Sequence, residues 1–94
     1  MLSVDDQADQ LVREVLPVIP VADQSFVKGC LEEGDPDMAI DDCMQFSLIN
    51  GIRLSDGVLD SVEETVLHAG YDRTLQDRTL GWIAKHRERN HAAA

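Results

Sequence analysis

The chain has 94 residues, 44% of them apolar, and its 18 acidic and 8 basic residues give a formal net charge of −10. This length fits one domain and excludes two large subdomains around a cofactor cleft, while the apolar fraction is sufficient for a packed core. A charge of −10 repels phosphate, so sequence-independent binding to nucleic acids or anionic membranes is disfavoured and a basic protein is the partner class that the charge suits.

Two amphipathic helices are predicted in the first third of the chain. Ser3 is a suitable N-cap, and apolar residues then recur with helical spacing over 4–16, where Pro17 follows and cannot continue the helix. A second helix is predicted over 22–33, with Ala22, Phe26, Val27, Cys30 and Leu31 on its apolar side. Gly34 follows it and suits the left-handed residue that often ends a helix.

The middle of the chain predicts a central helix. Asp35 is followed by a proline, a pair typical of an N-cap and the first helical position. Apolar residues over 39–49 cover more than half of the helix circumference, so we expect neighbours on several sides. Asn50-Gly51 ends this helix, and residues 52–54 form a short extended link.

Two further helices are predicted in the last third. Ser55 caps the first, which ends at Gly70, and the second covers about 73–89. No segment alternates with a period of two for long enough to predict a strand. We therefore expect an all-α fold, a small bundle of about five short helices forming a single domain over 1–91, with 92–94 as a disordered tail or cloning remnant.

The sequence predicts no catalytic, cofactor or metal site. Cys30 and Cys43 both lie on predicted core faces, where free cysteines behave as small hydrophobes, and neither combines with histidines at zinc-ligand spacing. The six glycines occur singly, so no phosphate-binding loop is formed. A Ser–His or Cys–His catalytic pair is left open. The amino terminus does not resemble a secretion signal and no apolar run could span a bilayer, so we expect a cytoplasmic protein that binds neither membrane nor nucleic acid.

Acidic residues are concentrated in one stretch of the chain. From Asp23 to Glu64 there are 11 acids and 2 bases, a net charge of −9, whereas Arg73 to His91 carries 5 bases and 2 acids. One interpretation is a set of solvated helix faces with acids favoured near N-termini. The other is a docking surface for a cationic protein, with the acids opposite the apolar stripes. The candidate partner-binding residues are Glu32, Glu33, Asp35, Asp37, Asp41, Asp42, Asp56, Asp60, Glu63 and Glu64.

Four short motifs occur in the chain: Leu-Glu-Glu-Gly-Asp at 31–35, Ala-Ile-Asp at 39–41, Asn-Gly-Ile-Arg-Leu-Ser at 50–55 and His-Ala-Gly-Tyr-Asp at 68–72. With these motifs the sequence over roughly 11–72, about two thirds of the chain, resembles the small bacterial immunity proteins of the MafI type, which protect a producing cell from its own polymorphic toxin. Asp35-Pro36 replaces that family's usual glutamate and aromatic residue, and the basic helix from Arg73 extends beyond its common end. The resemblance implies a cytoplasmic, non-enzymatic inhibitor that binds one toxin domain.

The expected function is therefore an immunity protein that neutralises a toxin domain, a nuclease in our interpretation because nucleases hold phosphates in cationic clefts. One alternative is a helical adaptor that binds a partner helix in an apolar groove, with Leu80 or Trp82 contributing. Another is a helix-turn-helix regulator in which the basic last helix contacts DNA. A patch around Tyr71 and Trp82 is an alternative interface, and the oligomeric state is left open.

Overall fold

Within residues 1–92, five α-helices form the fold, as predicted. The computed structural model describes residues 1–92, which contain no strand, so the all-α prediction is confirmed for that part of the chain. The last helix continues to Ala92, one residue past the predicted domain end, and residues 93 and 94 of the predicted tail lie outside the described residues. The elements are α1 (Val4–Val15), a 3₁₀ turn (Leu16–Val18), α2 (Val21–Glu32), α3 (Pro36–Ile49), α4 (Asp56–His68) and α5 (Arg73–Ala92).

The predicted helix boundaries have a local chemical cause. The side chains of Ser3, Asp35 and Ser55 each accept a hydrogen bond from the backbone N–H three residues later, at 3.1, 3.1 and 3.2 Å. These bonds satisfy amide groups that have no partner within the helix. Gly34 and Gly70 follow α2 and α4 with φ of 70° and 75°, a conformation that glycine adopts without steric cost. The capping residues and glycines in the sequence therefore predict most helix ends correctly.

Helix α3 is the centre of the bundle. It packs against α1, α2 and α5, while α1 and α5 also contact α4. The core that these helices enclose includes the fully buried side chains of Leu11, Ile40, Met44, Leu59 and Ile83. This arrangement explains why apolar residues cover more than half of α3.

Helix α2 differs from its prediction. Of its predicted apolar side only Val27 is buried, whereas Phe26 and Leu31 are 63% and 38% exposed and Ala22 is exposed. The expectation that all these side chains face the core is wrong, because α2 lies at the periphery and packs mainly against α3. Within residues 1–92, no helix combines the length and apolarity needed to cross a bilayer.

Candidate protein-binding surface

Asp41 does not lie on an exposed acidic face. Its side chain is completely buried between α3 and α5. Its Oδ2 accepts hydrogen bonds from Nε and Nη2 of Arg78 at 3.0 and 2.5 Å, and its Oδ1 accepts one from the Thr79 hydroxyl at 2.8 Å. The prediction of Asp41 as a partner-binding residue is therefore wrong. The position that looks like the polar side of α3 in sequence is the side on which α5 packs.

Asp37 and Tyr71 extend this internal network. The Tyr71 hydroxyl lies 2.8 Å from both the carbonyl of Asp37 and the hydroxyl of Thr79, and burial raises the pKa of Tyr71. The Asp37 carboxylate accepts the N–H of Asp72 at 2.7 Å. These bonds attach the link between α4 and α5 to the start of α3. Tyr71 is 5% exposed, so it belongs to the core rather than to an apolar surface patch.

The acids of α4 are mostly engaged by α5. Nη1 of Arg87 lies 2.7 Å from Oε2 of Glu63, and its Nη2 lies 2.6 Å from Oδ1 of Asp60. The hydrogen bond with Glu63, followed by that with Asp60, raises the pKa of Arg87. Asp56 accepts a bond of 3.3 Å from the Asn90 amide. Glu64 is exposed and forms no ion pair within the part of the chain that the structure describes.

Several arginines of α5 are used inside the molecule. Arg78 and Arg87 pair with acids of α3 and α4, and Arg89 donates to the carbonyls of Leu48 and Ile52 at 2.9 and 2.7 Å. A helix-turn-helix protein needs such side chains to contact the duplex. Their engagement weighs against the DNA-binding alternative, and it explains why a basic last helix accompanies acidic helices before it.

Three carboxylates line a groove beside the turn between α2 and α3, and two more belong to the end of α2 that leads into this turn. Asp5 and Asp9 of α1, with Asp35 and Leu31, line a groove of about 370 Å³ there. Glu32 and Glu33 are exposed at the end of α2 that leads into this turn. We call Asp5, Asp9, Glu32, Glu33 and Asp35 the acidic end.

The acidic end contains no internal ion pair within residues 1–92. Arg13 follows Asp9 by one helical turn without pairing with it. Asp35 is the N-cap of α3, so its carboxylate also has a structural role. The sequence predicts Glu32, Glu33 and Asp35 as binding residues but gives no such prediction for Asp5 and Asp9. Their spacing of four residues, beside the apolar stripe of α1, indicates a shared face, but nothing in the sequence indicates that this face meets the α2–α3 turn.

Asp42 and Cys30 form a separate, half-buried pair. The Cys30 thiol donates to Oδ2 of Asp42 at 3.3 Å, and burial raises the pKa of Asp42. Burial also raises the pKa values of Cys30 and Cys43 to about 12, so both thiols stay protonated at neutral pH. Cys43 is buried as predicted, whereas Cys30 is only half-buried.

The structure brings one serine and one histidine into contact, Ser47 and His86. Their hydrogen bonds are those of a packing contact within the core and not those of a catalytic pair. Nε2 of His86 lies 2.9 Å from the Met44 carbonyl and 3.2 Å from the Ser47 hydroxyl. A carbonyl only accepts, so Nε2 carries the proton and cannot take one from Ser47. Burial lowers the pKa of His86, and both side chains are completely buried, so a substrate has no access to them.

The described residues contain no group of three or more His, Cys, Asp or Glu side chains that could hold a metal ion. Comparison of the chain with protein-family models, curated proteins and solved structures gives no match. The resemblance to MafI-type immunity proteins therefore stays a prediction. Asp41, Asp60 and Glu63 pair with arginines inside the fold, whereas the residues of the acidic end form no ion pair within residues 1–92.

Proposed function

We propose that this protein is a non-enzymatic immunity protein that binds and neutralises a toxin domain, a nuclease, through its acidic end. The observation that carries the proposal is the absence of an internal ion pair at Asp5, Asp9, Glu32 and Glu33, within residues 1–92. Such carboxylates attract a cationic surface and accelerate association at low salt. A nuclease holds its phosphate substrate with Lys and Arg, so an acidic protein is suited to cover that cleft.

The position of two of these carboxylates supports a role outside the fold. Glu32 is the last residue of α2 and Glu33 is its C-cap, where the helix dipole is negative. Carboxylates at this end of a helix are unfavourable by about 0.3–1 kcal/mol. No basic residue lies in the last turn of α2 to offset them. Neither charge forms an ion pair within residues 1–92, whereas a cationic partner would provide one.

The proposal predicts a large open reading frame beside this gene that ends in a small basic domain, and the test uses that domain. We expect that domain to arrest growth of a bacterial host and co-expression of this protein to restore growth. Replacing the two glutamates by E32K and E33K should lower the association rate about tenfold at low salt, because electrostatic steering is lost. The melting temperature should not fall, since both side chains are exposed.

The matched control is the pair D77K and E88K, which changes the net charge equally at two exposed positions of α5. We expect it to retain most of the association rate. Growth that is not restored contradicts the immunity function. Equal loss of association with both pairs contradicts the acidic end as the binding surface, because it shows that only total charge matters.

A further inference from the structure

A second groove, of about 410 Å³, lies between α2 and α3. We call it the α2–α3 groove. It is separate from the groove beside α1, although Glu33 at the end of α2 borders it. Its lining includes Phe26, Gly29, Cys30, Met38 and Asp42.

Large apolar side chains are exposed on both helices that form this groove. Phe26 is 63% exposed, and its ring centroid lies 6.0 Å from that of Phe46 on α3. Ile49, one helical turn after Phe46, is 65% exposed. Phe46 thus contacts one exposed apolar side chain, Phe26, and Ile49 follows it on α3, so apolar surface is exposed on both helices, a feature typical of interaction sites.

Gly29 leaves the α2 side of the groove without a side chain at that position. It lies inside α2 with an ordinary helical φ, and a Cβ added there would meet no atom within 4 Å. Glycine within a helix is destabilising relative to alanine, and neither backbone conformation nor internal packing requires it here. A missing side chain lets the backbone of another segment approach closely.

The charge around the groove selects the kind of occupant. Asp42 is half-buried beside Met38 without an ion pair within residues 1–92, and burial raises its pKa, so a nearby cation would stabilise its ionised form. Glu33 adds a second carboxylate. Lys28, two positions from Phe26, projects from another side of α2, so it does not add a positive charge to the groove. A second copy of this chain would bring the same carboxylates and a further charge of −10, so repulsion opposes self-association.

We propose that the α2–α3 groove binds an amphipathic helix of a partner protein, with large apolar side chains on one face and Lys or Arg at its edges. Its apolar face covers Phe26 and Ile49, its backbone passes over Gly29, and its cations lie near Asp42 and Glu33. This is the helix-in-groove mode of recognition. The inference does not depend on the proposed immunity function, because it holds for whichever protein supplies the helix, and the groove shares only Glu33 with the acidic end.

A defined peptide tests this. The probe is a synthetic peptide of about 18 residues with leucines on one face and lysines elsewhere, and the comparison peptide has the same composition in scrambled order. We expect the amphipathic peptide to become helical on binding and to bind about tenfold more tightly than the scrambled one. Amide shifts in NMR spectra of the labelled protein should change around Phe26, Gly29 and Ile49. Equal affinity of the two peptides, or shift changes confined to the acidic end, would overturn the proposal.

The variant Gly29→Leu separates binding from folding. It fills the groove, so we expect about tenfold weaker peptide binding, while thermal stability stays equal or rises because leucine favours the helix. The control is Gly81→Leu on α5, where an added Cβ likewise meets nothing within 4 Å, and it should bind as the wild type does. Unchanged binding of Gly29→Leu refutes the groove as the site. Concentration-dependent dimerisation that Gly29→Leu abolishes would make a second copy the occupant and overturn the partner assignment.

Discussion

Two groups of carboxylates in this molecule resemble each other in sequence and differ in their surroundings. Asp41, Asp60 and Glu63 accept hydrogen bonds from arginines of α5, at 2.5 to 2.7 Å for the shortest contact of each. The acidic end has no ion pair within residues 1–92, and two of its members lie at the negative end of a helix dipole. The first group stabilises the packing of α5, whereas the second is available to a partner. Net charge by itself therefore does not locate a binding surface.

The largest effect should come from removing the partner of the buried carboxylate. Arg78→Leu leaves Asp41 fully buried without its cation, so we expect the free energy of unfolding to fall by about 2–4 kcal/mol. This loss of stability is smaller than is usual for a fully buried ion pair, because the Arg78 side chain is 49% exposed. Urea denaturation followed by circular dichroism measures the change.

Arg73→Leu is the control for this experiment. It removes an arginine from the exposed start of the same helix and should change stability by less than about 0.5 kcal/mol. If Arg78→Leu changes the free energy of unfolding as little as Arg73→Leu does, solvent reaches Asp41. That result would contradict the distinction between carboxylates bonded within the fold and carboxylates available to a partner.

Sequence patterns predict the fold well because its helix ends are determined locally. Ser3, Asp35 and Ser55 cap helices through bonds to residues only three positions away, and Gly34 and Gly70 supply positive φ values where the pattern places helix ends. These interactions need no knowledge of tertiary structure. The helix class and order, and the boundaries within a few residues, follow from them.

The candidate site is less predictable because it depends on which helices are neighbours. Asp41 looks exposed on an isolated helix and becomes buried only when Arg78, 37 positions later, packs against it. Asp5 and Asp9 join the acidic end only because α1 lies beside the α2–α3 turn. Phe26 is wrongly expected in the core since periodicity gives a face of α2 but not the number of helices that cover it.

A smaller effect is expected for the ion pairs between α4 and α5. Arg87→Leu removes bonds to Asp60 and Glu63, whose side chains are 71% and 38% exposed, so stability should fall by only about 0.5–1 kcal/mol. The variant also gives α4 two unpaired carboxylates. If the acidic end is the binding surface, the association rate with the partner should change far less than it does with E32K and E33K. A comparable change would place binding on α4.

The smallest effect on stability, and the one that separates the two groups most directly, is expected from neutralising Glu32 and Glu33. Neither side chain forms an ion pair within the described part of the chain, and both face the negative end of the α2 dipole. Glu32→Gln with Glu33→Gln should therefore raise the free energy of unfolding by about 0.3–1 kcal/mol, measurable by urea denaturation and reduced by added salt.

The sign of the change in the free energy of unfolding is the informative result of this experiment. A loss of stability would show that these glutamates form contacts that the fold depends on, and the contrast with Asp41 would disappear. A gain in stability together with slower association with the partner would show that the two charges oppose the fold and serve binding. That combination is expected when charges are selected for binding a partner rather than for folding. Removing such charges stabilises the free chain, because their repulsion with the helix dipole is relieved, and weakens the complex, because their attraction to the partner is lost.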